Sequence, residues 1–426
     1  MLQSAHIFLM SLYIVLPPIV LIASFAAARR RGIPAAHIWP KLTVAVATSL
    51  LLGIAASMIY GLWLGGIVPP VRMALACYWA AGLICILKGL DFLLDCLARL
   101  VFATGAGSWK RRQRRSAAQI FRVFSLFIIG LPYMIAAAAT YCPNTILKNE
   151  SAWFDAGATR VSFESTDGLL IAGFWTAAPA PSLGDIPNPH WGRKTLVICP
   201  GSRAGKSSYL DLASRFLNDG YNVLTFDFRG HGQSGGQIVT FGDHERRDVL
   251  GAVRWLRRNH PMESRRIVAI GVDTGAAALL AAAADPSNQG RALDALAVFG
   301  CYDRFDKFAA DAARVSFPPP LQWLIVPVAV PLACVQTGAD LRDFSPANAA
   351  AAVSPRPILF IAGEGKPFAG QRDSVITFDR GQSLFDAANA PKSHLWIEDL
   401  TDDQATGDPR VVNRALRFLN TAVPML

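Results

Sequence analysis

Four long apolar runs fill the first third of this 426-residue chain, at about 6–28, 42–67, 73–103 and 119–141. Each reaches or approaches the ~20 residues a helix needs to cross the hydrocarbon core of a bilayer. In lipid the backbone must satisfy its own hydrogen bonds, so such runs are expected to be spanning helices. The first has no basic stretch ahead of it, no small-residue cleavage site after it and three more runs behind it, which argues against a cleaved signal peptide. The sequence therefore predicts a transmembrane region over 1–145 and a linker over 146–158. A globular domain is expected over 159–426.

Charge orients the spans. Residues 1–150 hold 14 Lys+Arg against 3 Asp+Glu, while 151–426 hold 27 against 28, so the net charge of +10 belongs to the amino-terminal third. Nucleic acid is excluded as a partner because the globular part is near neutral. Arg29, Arg30, Arg31 and Lys41 lie between the first two runs, and Lys110, Arg111, Arg112, Arg114 and Arg115 between the last two. Basic loops stay in the cytoplasm. A multi-pass integral membrane protein with both termini outside is expected, its globular domain periplasmic or extracellular. Lys88, Asp91, Asp95 and Arg99 interrupt the third run on one helix face. They fit a helix that turns into the interface or packs that face inward, and a transport path is the sharper alternative. The seven cysteines form no CxxC or metal-ligand pattern, so neither metal nor cofactor is expected.

From residue 159 short β-rich runs alternate with helical ones, which predicts a mainly parallel α/β sheet wrapped by helices. Strands are expected at 159–164, 170–175, 194–199, 221–227, 266–271, 293–299, 357–362 and 393–398, with the first two as a hairpin. Helices are expected at about 207–219, 243–259, 274–285, 378–389 and 409–421. Between Gly271 and Gly275 stands Asp273, at the end of a strand and the start of a helix. Small flanking residues are what a sharp strand-to-helix elbow requires, and such an elbow projects its central side chain over the sheet's carboxyl edge.

Three blocks in order carry a resemblance: Cys199-Pro200-Gly201-Ser202, Asp227-Phe228-Arg229-Gly230-His231-Gly232-Gln233-Ser234, and Gly271-Val272-Asp273-Thr274-Gly275. The chain resembles the α/β-hydrolase superfamily over about 159–421. Its pattern is most like that of membrane-anchored serine aminopeptidases and dipeptidyl-peptidase-like esterases. The resemblance implies an eight-stranded sheet with Asp273 in the nucleophile's place. It further implies oxyanion-hole amides at Ser202 and Thr274, an acid after the seventh strand and a histidine after the eighth. All three catalytic slots differ here. The nucleophile's place holds Asp273; the acid slot holds Lys366, with Glu364 near; and the histidine slot is the run at Asp402. His394 begins the last strand, about 13 Å of strand from its end. His231 belongs to the structural turn of the second block, and His244 to the opening of a helix.

Those departures lead to a degenerate hydrolase fold kept for binding or assembly in the cell envelope. The alternative is an active hydrolase with rearranged groups, including one with an aspartate nucleophile, acting on an apolar ester, lipid or peptide. A remote alternative is a phosphate-binding nucleotidase, because Gly201-Ser202-Arg203-Ala204-Gly205-Lys206-Ser207 is one residue short of a phosphate loop. A cap insertion is expected over about 301–355, with an apolar run from Leu321 to Val335 broken by Pro327 and Pro331. It reads as a packed lid, or as a lid that meets the membrane surface. Expected partners are the bilayer, a lipid or apolar peptide ligand and a membrane protein.

Overall fold

The structure is a computed structural model that describes residues 128, 130–142, 150–179, 191–202, 204–317, 319–363, 378–398 and 405–423. The chain divides into two compact units, Met1–Ala138 and Ala139–Leu426. The apolar runs at 6–28, 42–67 and 73–103 and both basic loops lie outside the described residues. The fourth run is described only at its end, where α1 (Leu131–Thr140) is helical. Among the described residues no helix is long and apolar enough to cross a membrane.

The second unit is built on an eight-stranded sheet in the order β1-β2-β4-β3-β5-β6-β7-β8. The strands are β1 (Thr159–Glu164), β2 (Leu170–Thr176), β3 (Lys194–Cys199), β4 (Tyr221–Phe226), β5 (Arg266–Val272), β6 (Leu293–Phe299), β7 (Ile358–Gly363) and β8 (Lys392–Ile397). β2 runs antiparallel to both β1 and β4, and every other neighbour is parallel. Burial explains the arrangement. Every residue of β3 and β4 is buried, as strands are when helices cover both faces of a parallel sheet. β1, at the edge, alternates instead.

Crossover helices supply the covering layers: α3 (Leu210–Asn218), α4 (Arg246–Asn259), α5 (Thr274–Ala283), α6 (Asn288–Arg291), α10 (Phe378–Ala387) and α11 (Pro409–Ala422). α4 buries Val249, Leu250, Ala252, Val253 and Leu256 and ends on Arg257 and Arg258, where cations favour the helix dipole. It begins later than the expected 243 because Glu245 folds back to accept hydrogen bonds from the amides of Thr240 and Gly242 and from the Thr240 hydroxyl. α5 is buried along its whole length, and its small residues let it press on the sheet.

One expected boundary needs correcting. The described part of the 146–158 linker is not a spacer: α2 (Ser151–Asp155) carries the fully buried Trp153 into the domain core beside Phe174 and Phe216. Trp153 also stacks on Phe174 at 5.7 Å between ring centroids. The chain joins the unit just before this, where Tyr141 bridges Ile238 and the amide of Cys142 donates to the Gln237 carbonyl at 2.9 Å.

Between β6 and β7 the alternation gives way to three successive helices, α7 (Phe305–Ser316), α8 (Pro319–Thr337) and α9 (Pro346–Val353). Pro327 and Pro331 lie within α8, which the sequence reading takes as broken at those positions. It runs as one helix through both prolines and packs against α7.

Candidate active site

β5 ends at Val272 and α5 begins at Thr274, leaving Asp273 alone in the turn with φ 51° and ψ −121°. A non-glycine residue rarely adopts positive φ, and neighbours must hold it there. Here its amide donates to the Phe299 carbonyl at 2.9 Å, and its own carbonyl accepts from Ala276 at 3.0 Å. Both flanking glycines are required by space. A Cβ on Gly275 would stand 2.1 Å from the Pro200 carbonyl oxygen, and one on Gly271 would stand 2.5 Å from Ala276 Cα. The elbow expected from sequence is therefore present at the carboxyl edge of the sheet.

What the side chain does there was not legible in the sequence. Ser202 lies after β3, and its amide donates to Asp273 Oδ2 at 3.2 Å while its hydroxyl donates to the same oxygen at 2.6 Å. The amide expected to face an oxyanion thus faces the carboxylate of the elbow residue. Thr274, the other expected donor, is buried as the first residue of α5.

His231 comes closer than the sequence reading allowed. Its Nε2 lies 3.0 Å from the Ser202 carbonyl and its Nδ1 lies 3.1 Å from the Arg229 carbonyl. A carbonyl only accepts, so both ring nitrogens must donate and the imidazole is held as a cation. Burial opposes that charge, but a hydrogen bond with the Cys142 side chain and the two carbonyls outweigh it and push the pKa up to about 9. A histidine with both nitrogens donating has no lone pair for a general base. It braces the Ser202 loop.

The nucleotide alternative fails on Lys206. Its side chain is buried, its ammonium lying 2.7 Å from Asp227 Oδ2 and 3.0 Å from Glu150 Oε1. A phosphate-loop lysine needs its ammonium over the loop, and this one is directed into the core. Asp227, at the end of β4, also accepts from the amides of Lys206 at 2.8 Å and Gln233 at 3.1 Å. Beside it Arg229 forms a buried ion pair with Asp248 at 2.7 Å. The second block is structural, as the resemblance implies.

Glu364, Lys366 and Asp402 lie outside the described residues. Of the other histidines, His244 sits in the turn before α4, 3.8 Å from Asp243. His394 is exposed on the edge strand β8 and stacks on Trp396. Among the described residues no cluster of His, Cys, Asp and Glu could hold a metal ion.

With this geometry in hand, comparison with known proteins is informative. Residues 143–325 match the model of the X-Pro dipeptidyl-peptidase (S15) family. The uncharacterized protein YqkD of Bacillus subtilis is 30% identical over 213 residues, which are 49% of this chain and 64% of YqkD. The uncharacterized protein YfhR of Escherichia coli K12 is 25% identical over 283 residues, covering 65% of this chain and 85% of YfhR. The solved Pyrococcus furiosus esterase Pf2001 superposes with a TM-score of 0.51 at 20% identity, covering 66% of this chain and 98% of the esterase. The strand order, the elbow after β5 and these likenesses agree, and the chain has the α/β-hydrolase fold.

Proposed function

We propose that this is a membrane-anchored α/β-hydrolase-fold protein that has lost acyl-transfer chemistry and serves binding or assembly at the outer side of the membrane. One observation carries the reading: Ser202 donates both its amide and its hydroxyl to Asp273 Oδ2. Acyl transfer builds a negative oxygen where those donors point. A carboxylate already there opposes it, since two like charges ~4 Å apart near a protein surface cost about 4 kcal/mol, on the order of a thousandfold in rate. The His231 geometry supports the same reading by removing the nearest imidazole as a base. The basic clusters at 29–31 and 110–115 support the anchoring and the outward-facing domain.

The test is chemical. Purified protein should turn over acyl esters at background rates and take no label from serine-directed phosphonates. Asp273→Ser with Asp402→His and Lys366→Asp should then gain esterase activity of roughly 10²–10⁴-fold, the usual contribution of a positioned base. A wild type as active as the triple variant, or stoichiometric labelling at Ser202, Ser207 or Ser234, overturns the proposal.

The strained backbone at Asp273 supports a second reading, an aspartate nucleophile, because strain of this kind clusters at functional sites. That reading requires a covalent ester at Asp273, seen as a mass increase on the elbow peptide after incubation with an ester or epoxide panel. No adduct on any member of the panel eliminates it.

A further inference from the structure

The cap carries a surface that the α/β-hydrolase fold does not account for. From Val315 to Ala339 the chain runs 25 residues without a charged side chain. Within it, Ile325, Ala329, Ala333 and Gln336 of α8 are buried toward the domain. The opposite ridge is also apolar: Pro319, Trp323, Pro327 and Val335 are exposed, with Pro331 half-buried between them. These positions recur every four residues and so form one stripe along the helix. Trp323 is 84% exposed, the most exposed of the large hydrophobic side chains among the described residues. A water-facing helix surface normally carries polar and charged residues, and a helix apolar all round belongs in a core or against lipid.

The rest of the chain indicates what covers the stripe. Residues 1–127 contain three bilayer-length apolar runs and the start of a fourth. The chain leaves that region and joins the second unit at Thr140 to Cys142, which pair with Gln237 to Val239. Two residues further on, Phe241 packs on Phe305 and Phe308 of α7 at 5.2 and 5.8 Å. Its carbonyl also accepts from the buried Tyr302 hydroxyl at 2.6 Å. One short segment therefore connects the point of arrival from the apolar third to the base of the cap.

We infer that the outer ridge of α8 is a membrane-surface helix, seating Trp323 and its neighbours in the headgroup and upper acyl region of the bilayer that anchors the chain. This rests on the membrane-anchored reading and adds a second attachment to it. The flat contact is apolar, since Trp favours that depth and the ridge carries no cation for anionic headgroups. Zwitterionic lipid is therefore sufficient.

The experiment uses the full-length chain in phosphatidylcholine vesicles, with p-benzoylphenylalanine replacing Trp323 in one preparation and Met262 in another. Met262 is also exposed but precedes β5, at the amino edge of the sheet. After photolysis, lipid adducts are expected at position 323 and not at 262, with a yield that added salt does not lower. Adducts at 323 to residues 1–142 or to a second copy of the chain overturn the inference, as does the absence of any lipid adduct there or an equal yield at both positions. Alkaline extraction of the same vesicles reads the anchoring separately. Protein that resists extraction but gives no lipid adduct at 323 refutes the cap contact alone, and released protein refutes the anchor.

Discussion

Two carboxylates stand at the same edge of the sheet, one strand apart, and hold the two ends of one loop. Asp227, at the end of β4, accepts from the amide and ammonium of Lys206; Asp273, after β5, accepts from the amide and hydroxyl of Ser202. The first is buried with a buried cation. The second is half-buried at the mouth of the elbow, where it accepts from the neutral amide and hydroxyl of Ser202. Asp227 thus belongs to the framework, where a charge is tolerated because its partner is fixed beside it. Asp273 belongs to the site, where neutral donors that could serve a reacting oxygen are occupied by the protein's own side chain. The scaffold has the α/β-hydrolase fold, and the two carboxylates differ in what the loop offers them.

The comparison can be broken at either end. Lys206→Ala removes the cation from Asp227 and Glu150 and leaves two buried carboxylates, so unfolding in denaturant should show a loss of about 3–5 kcal/mol. A loss below about 1 kcal/mol, in the range of an exposed pair, would mean Lys206 is free to serve another role. His231 probes the Ser202 end of the loop through the Ser202 carbonyl. Its pKa rises from 6.5 to about 9 on folding, so its stabilisation is complete below about pH 6.5 and is lost as pH rises through about 9. Over that window stability should fall by about 3 kcal/mol, and His231→Gln should flatten the pH dependence. An unchanged slope in the variant would show that another group titrates. The smallest effect belongs to the site end. Ser202→Ala removes one hydrogen bond at a partly exposed carboxylate and should cost about 1 kcal/mol. If it costs as much as Lys206→Ala, the distinction between framework and site carboxylates fails.

Much of the framework was readable before the fold was seen. Predominantly apolar runs fix β3 through β6 because a strand covered on both faces has little polar surface to show. Gly271 and Gly275 fix the elbow because nothing larger fits. Other features depend on distance in space rather than in sequence. Nothing local to Glu150 or Trp153 signals that the stretch read as a linker meets Lys206 and Ser207, more than fifty residues away. A glycine-lysine-serine run suggests phosphate until the buried partners of the lysine are known. The same limit hid the grip of Ser202 on Asp273, since a donor's target depends on a rotamer and a loop path that no spacing encodes. His231 was assigned to its turn correctly, but its second carbonyl, at Ser202, comes from another loop.

The contacts of the joining segment give that loop a mechanical character. Glu150 is held by both Lys206 and Arg160, and the Trp153 indole donates to the Ser207 carbonyl at 3.1 Å. A pull on the chain from its amino side bears first on the pairing of Thr140 to Cys142 with Gln237 to Val239, and then on Glu150 and Trp153, before any strand of the sheet is loaded. Through Lys206 and Ser207 it bears next on the loop whose other end fixes Ser202 against Asp273. The joining segment and the site are coupled in series, so a force on Glu150 and Trp153 strains the grip on Asp273 before it strains the core.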